Sequence, residues 1–173
     1  MRREALTWND IDQIIDHLIP QFEIEFDAMM IITRGGVVPG GLLAEALDIV
    51  TILTAAVDFP SELEMERNKT RSRLFALPKF LQFPVDDLLK DRRVLIVDDV
   101  WGSGRTITAV KNRVVSAGGK PYTCVLHFNP YRNLFGEARP DYYSAITDAY
   151  IVYPWEINRG LEGSLLQNLP GDH

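Results

Sequence analysis

Cysteine occurs once in this chain of 173 residues, at Cys124, so no disulfide can form within it. Histidine is almost as scarce: His17, His127 and His173 are far apart and show no metal-ligand spacing, which excludes a Cys/His metal centre. No apolar run approaches the ~20 residues that span a bilayer. The opening MRREALTWND has none of the hydrophobic segment of a secretory leader. With the lone cysteine, these absences lead to the expectation of a cytoplasmic protein. Positive charge is in deficit, with 18 Lys and Arg against 24 Asp and Glu for a net −6, which argues against broad non-specific nucleic-acid binding. That balance leaves room for a small basic pocket.

What is present is ordinary in bulk and patterned in detail. Hydrophobic residues make up 46% and charged residues 24%, as in a globular chain, and the length suits one domain with a sizeable core. Ile11, Ile14, Ile15, Leu18 and Ile19 recur at helical spacing after Thr7 and Asn9, predicting a helix that ends at Pro20. Ala28 to Thr33 reads as a buried strand. A helix follows with Pro39 in its first turn and Leu42, Leu43, Ala46 and Leu47 on one face. Ile49 to Phe59 is rich in β-branched residues and reads as another strand. Val94–Val97, a helix from about Thr106 to Ala117, and Pro121–His127 continue the alternation. The expected fold is α/β, an open, mainly parallel sheet flanked by helices. The whole of 1–173 reads as a single domain. Within it, 60–89 forms a mobile loop or hood insertion and 140–158 a C-terminal hood over one edge.

The densest information lies in VLIVDDVWGSGRT, Val94 to Thr106. Four consecutive aliphatic residues look like a strand buried on both faces. Asp98 and Asp99 then fall at its carboxyl end, where ligands bind in open α/β sheets. Gly102, Ser103, Gly104, Arg105 and Thr106 form a tight turn into a helix. The free N–H groups of such a helix start are a phosphate site. Two carboxylates beside a phosphate cradle suit a sugar phosphate. The string lacks the spacing and Lys of a Walker A loop, and Ile107 stands where a dinucleotide fingerprint needs Gly. A second string, IITRGGVVPGG, delivers Arg34, Gly35 and Gly36 from a strand end. The guanidinium there suits phosphate oxygens, and the glycines leave the backbone accessible.

The first string resembles the phosphoribosyl-diphosphate (PRPP) motif of the type I phosphoribosyltransferases. The second is similar to the pyrophosphate loop of that family's 6-oxopurine branch, where the peptide bond entering the first glycine is often cis; here that would be Arg34–Gly35. DAYIVYPWE, Asp148 to Glu156, resembles the end of the branch's base-binding hood. The resemblance implies transfer of ribose 5-phosphate from PRPP to a purine-like base, with Mg²⁺ as cofactor, release of pyrophosphate, and a homodimer. It places Asp98 and Asp99 at the ribose hydroxyls and the magnesium shell. Gly102 to Thr106 lie around the 5-phosphate, and Arg34, Gly35 and Gly36 lie on the pyrophosphate. Asp98, Asp99 and Arg34 are thus the catalytic candidates. Tyr150 would stack on the base, the Ile151 backbone would meet its edge, and Trp155 is read as packing. Arg67, Lys69, Arg71 and Arg73 fall where the family keeps a loop that closes over pyrophosphate.

Two positions depart from the pattern. The branch has Asp where this chain has Gly102, to take the proton from the purine N7, and Lys where this chain has Asn129, to donate to the 6-oxo group. The phosphate scaffold is intact while the base reader is rewritten. A weakly catalytic PRPP or nucleotide sensor on the same scaffold is the alternative. An RNA-binding regulator would need a basic face that the composition does not offer.

Overall fold

The computed structural model describes residues 2–59 and 77–157. The basic cluster Arg67, Lys69, Arg71 and Arg73 lies outside the described residues. The elements in chain order are β1 (Arg3–Ala5), α1 (Trp8–Leu18), β2 (Ala28–Ile32), α2 (Val37–Ala46), β3 (Ile52–Asp58), β4 (Lys79–Gln82), β5 (Arg93–Trp101), α3 (Arg105–Ser116), β6 (Lys120–Phe128), β7 (Tyr142–Ile146) and β8 (Tyr150–Val152).

Six strands form one sheet in the order β4-β3-β2-β5-β6-β7, parallel throughout except for β4, which runs antiparallel to β3. The central strands are buried on both sides, and their side chains alternate between two cores. Met29, Ile31, Leu95 and Val97 face α1 and α2, packing with Ile11, Ile15, Leu18 and Leu43. Met30, Ile32, Val94 and Ile96 face α3, packing with Ile107, Val110 and Val114. Burying each such side chain is worth about 1.5–3 kcal/mol. The period of two on adjacent strands therefore fixes the register in which Met29 lies beside Leu95 and Ile31 beside Val97.

Helix α1 starts at a capping box. The Asp10 N–H donates to Thr7 Oγ1 at 3.2 Å and the Thr7 N–H donates to Asp10 Oδ2 at 2.7 Å. The α-helix stops at Leu18, before Pro20, and a 3₁₀ turn carries the chain through Gln21.

Several expectations need correcting. On α2 the buried residues are Pro39, Gly40 and Leu43, while Leu42 is exposed, because the helix is apolar on every side and its orientation follows packing on β2 and β5. Within the expected 60–89 insertion, Lys79–Gln82 is an edge strand of the main sheet. Within the expected 140–158 hood, Tyr142–Ile146 extends the main sheet beside β6. Only β8 leaves it, pairing in parallel with β1, a strand of three exposed residues that carries no periodic signal of its own. Among the described residues, no helix is long and apolar enough to cross a membrane.

Candidate active site at the sheet's carboxyl edge

The strand order reverses between β2 and β5: from β2 the chain passes through α2 to β3 on one side, and from β5 through α3 to β6 on the other. Such a switch point opens a crevice at the carboxyl ends of the two strands. It opens wide here because β5 outruns β2. Their pairing ends at Ile31 beside Val97, whereas β5 stays paired with β6 as far as Trp101 beside Phe128. Asp98 and Asp99 therefore stand on a strand held from one side only.

Beyond β2 the Thr33–Arg34 peptide is cis, one bond earlier than the Arg34–Gly35 bond expected from the resemblance. The chain must reverse early because the Gly36 N–H returns to the Ile32 carbonyl at 2.8 Å and both glycines lie against β5. A Cβ on Gly35 would sit 2.5 Å from Asp99 Oδ2 and 2.6 Å from its Cγ. A Cβ on Gly36 would strike the Val97 carbonyl oxygen and lie 2.8 Å from that of Ile32. The pyrophosphate-loop candidate thus lies close against the Asp99 carboxylate, which a side chain at Gly35 would have to displace.

Beyond β5, Gly104 takes φ +80° at the N-cap of α3, the Arg105 N–H donates to Ser103 Oγ at 3.4 Å, and the helix start lies against a small cavity of about 70 Å³. Asp98, Gly102, Ser103, Gly104, Arg105 and Thr106 all line it. The Arg105 guanidinium lies over the Phe59 ring, 4.1 Å from its centroid. The turn is braced from behind: Trp101 Nε1 donates to Asn133 Oδ1 at 3.1 Å and the Leu134 N–H to the Ser103 carbonyl at 3.1 Å. Gly102 has no positive φ, and a Cβ there would meet nothing within 4 Å.

The larger cavity, about 520 Å³, brings together Arg34, Gly35, Asp98, Asp99 and Thr106, which the sequence singled out, with Thr33, Val57, Trp155 and Glu156, which it did not. Burial, and next the neighbouring Asp99 charge, push the Asp98 carboxyl well up from its ordinary value. Burial also pushes Asp99 up to about 6, with the Glu156 charge adding to the effect, while the Val100 N–H donating to its Oδ1 at 2.7 Å works the other way. A cation is the natural relief for such a pair. Among the described residues no three His, Cys, Asp or Glu side chains are arranged to hold a metal. Two adjacent carboxylates are oxygen donors of the kind Mg²⁺ takes, an ion that keeps waters and substrate oxygens in the rest of its shell.

The base-side candidates are more scattered. Asn129 lies just past β6 and is buried, its N–H donating to the Trp101 carbonyl at 2.9 Å and its Oδ1 left without a partner. Tyr150 is 42% exposed, with the Arg3 guanidinium 5.6 Å from its ring centroid, and Ile151 is buried in the α1 core. None of the three lines the 520 Å³ cavity. Trp155 lines it while also stacking on Tyr153 at 4.6 Å, the packing role expected of it. The Pro-Trp-Glu end of the hood string was the available signal for both Trp155 and Glu156.

A small cavity at a helix start, a paired carboxylate and an arginine-glycine loop thus meet at one switch point of an α/β sheet. The chain belongs to the phosphoribosyl transferase domain family, whose model matches residues 5–152. It is 30% identical over 157 residues to the xanthine-guanine phosphoribosyltransferase of Ruegeria sp. (strain TM1040), an alignment covering 88% of this chain and 78% of that protein. It is 32% identical over 136 residues to the enzyme of the same name from Roseobacter denitrificans, covering 75% and 68%. The crystal structure of a purine phosphoribosyltransferase from Pyrococcus horikoshii Ot3 superposes with a TM-score of 0.73 at 30% identity, over 90% of this chain and 95% of that one.

Proposed function

We propose that this chain transfers the 5-phosphoribosyl group of PRPP to a ring nitrogen of a purine-type base, releasing pyrophosphate. The observation that carries the reading is the close approach of Gly35 to the Asp99 carboxylate beside the Gly102–Thr106 cradle. One crevice can then hold a 5-phosphate, ribose hydroxyls and a diphosphate at once. In the reaction the bond from the sugar's anomeric carbon to pyrophosphate breaks, a bond from that carbon to the base nitrogen forms, and the nitrogen loses its proton.

Each group has a role set by its placement. The α3 N-terminus and the hydroxyls of Ser103 and Thr106 receive the 5-phosphate. Asp98 and Asp99 accept from the ribose hydroxyls and help hold Mg²⁺, which when bound neutralises charge on the departing pyrophosphate. Arg34 supplies fixed positive charge to the same leaving group. Catalysis of this kind is positioning plus neutralisation of departing charge. On the base side, the open space at Gly102 supplies no carboxylate, and the Asn129 amide serves an amino or a keto edge equally. Hypoxanthine, guanine and xanthine are therefore poor substrates in this reading. It further includes a cytoplasmic homodimer, tested by sedimentation of the purified chain.

The test is turnover of PRPP with a panel of purine and related bases. Pyrophosphate release with one base supports the enzyme. Saturable PRPP binding with no turnover across the panel replaces it with a sensor, and affinity for RNA that falls steeply with salt replaces it with a nucleic-acid regulator.

A further inference from the structure

Tyr153 lies in the core against α1, 1% exposed, yet its side chain reaches the site. Its hydroxyl donates to the backbone carbonyl of Asp99 at 3.0 Å and lies 2.8 Å from His127 Nδ1. A carbonyl only accepts, so the phenolic hydrogen is committed to Asp99, and His127 must supply the hydrogen of the second contact. His127 is thereby held with its proton on Nδ1.

The Asp99 carbonyl needs such a partner because of the overhang of β5. Pairing with β2 has ended at Val97, and the register with β6 runs through Asp98 and Val100 rather than Asp99. A buried backbone carbonyl left unpaired is unfavourable, and here the phenol stands where a strand would have been. The same residue holds Trp155 and Glu156. Its ring stacks on Trp155 with centroids 4.6 Å apart and planes 8° apart, and its N–H donates to Glu156 Oε2 at 2.8 Å. Trp155 and Glu156 line the same cavity as Asp98 and Asp99, and the Glu156 charge acts on Asp99.

We propose that Tyr153 is a positioning residue for PRPP: it sets the separation between the Asp98–Asp99 end of β5 and Trp155–Glu156, with His127 orienting its hydroxyl. The proposal rests on the PRPP reading above. A residue that only filled the core would affect stability and leave ligand discrimination alone. Tyr153 bonds the backbone of the strand that carries the ribose-side carboxylates, whereas Arg34 and Gly35 stand on the loop after β2 and meet that strand through the Asp99 side chain.

Y153F keeps the ring and its stack and removes only the hydroxyl. In calorimetry on the whole chain with Mg²⁺ present, its dissociation constant for PRPP is expected to rise about fivefold or more, with that for pyrophosphate alone staying within about twofold. Unchanged PRPP affinity in folded Y153F, or equal losses for both ligands, overturns the proposal. If Y153F does not fold, a His127 pair decides. H127L removes the donor to the phenol and is expected to lose PRPP affinity selectively, whereas H127N keeps an N–H donor and is expected to restore it. Equal PRPP affinity in the two overturns the assignment. A wild-type chain that binds no PRPP overturns the reading beneath the proposal, and is recognised before any variant is compared.

Discussion

The sugar-phosphate side of the crevice and its base side differ in how much of the chain is needed to build them. The first consists of two strand-to-helix turns, Thr33 to Gly36 and Asp98 to Thr106, brought together because β2 and β5 are neighbours. The proposed base side would draw on Asn129, just past β6, and on Tyr150 and Ile151 from a strand paired with Arg3–Ala5, none of which lines the 520 Å³ cavity. Packing on the first side is close at Gly35 and Gly36, where an added Cβ would meet the Asp99 carboxylate and the Val97 carbonyl, yet at Gly102, on the same side, an added Cβ would meet nothing within 4 Å. The two close positions tolerate little change. Gly102, where the chain departs from the resemblance, has room for a side chain without touching those close contacts.

The largest effect is expected from restoring the base side. Gly102→Asp with Asn129→Lys should raise kcat/KM for hypoxanthine, guanine or xanthine by on the order of 10²-fold, since general base catalysis alone is worth ~10²–10⁴. The backbone at Gly102 has no positive φ and nothing within 4 Å of an added Cβ, so the turn can accept the carboxylate. Native turnover of these bases at ordinary enzyme rates would erase the contrast between the two sides.

On the sugar-phosphate side, Arg34→Ala removes a charged donor worth about 1.5–3 kcal/mol to a bound anion. Titration should show pyrophosphate weakened by that amount and a nucleoside monophosphate weakened much less. Equal losses would take Arg34 out of the pyrophosphate loop.

Gly35→Ala is expected to push the Asp99 carboxylate aside and weaken PRPP by about tenfold, roughly 1.4 kcal/mol. Gly41→Ala is its control. That glycine lies in α2 with nothing within 4 Å of an added Cβ, so the substitution should leave PRPP binding alone and raise stability by about 0.5–1 kcal/mol. PRPP affinity that responds alike to both would mean the Gly35–Asp99 contact is unimportant.

Asp99→Asn should likewise weaken PRPP about tenfold, yet stabilise the unliganded chain. Asp99 is raised from 3.8 to about 6 on folding, so its stabilising contribution is complete below pH 3.8 and is lost as pH rises through 6. At pH 7 the buried charge is a net cost, and its removal should add about 1 kcal/mol or more, read by denaturant titration. His127 has the opposite sign. Burial lowers it from 6.5 to about 4, so its contribution is complete above pH 6.5 and is lost as pH falls towards 4. The two slopes oppose each other between pH 4 and 6 in the wild type. The stability of Asp99→Asn should therefore fall more steeply on acidification through that window; parallel curves would show that Asp99 is not held in its protonated form.

The legibility of the molecule follows the same division. Val94 to Thr106 could be read as strand, acidic pair and phosphate turn because each signal is local: four aliphatics in a row, then glycines before a helix. The central sheet was legible for the same reason. The peptide bond that turns cis was not: it is Thr33–Arg34, one bond before the place the resemblance implied. Strand β1 was invisible, since three exposed residues carry no hydrophobic period and become a strand only against β8. Trp155 was legible as an aromatic but not as a wall of the cavity, because its placement depends on the stack with Tyr153.

By itself the sequence determined the parallel α/β core, the carboxylate pair at a strand end and the glycine turn after it, because periodicity and turn chemistry act over a few residues and need no distant partner. Only the tertiary structure decided that Gly35 lies against Asp99, that Glu156 lines the same cavity as the carboxylate pair and that Tyr153 satisfies the Asp99 carbonyl. Those contacts join residues separated by 54 or more positions along the chain in the Tyr153 and Glu156 cases. They exist because β5 runs past its neighbour and leaves a polar edge for other parts of the fold to cover.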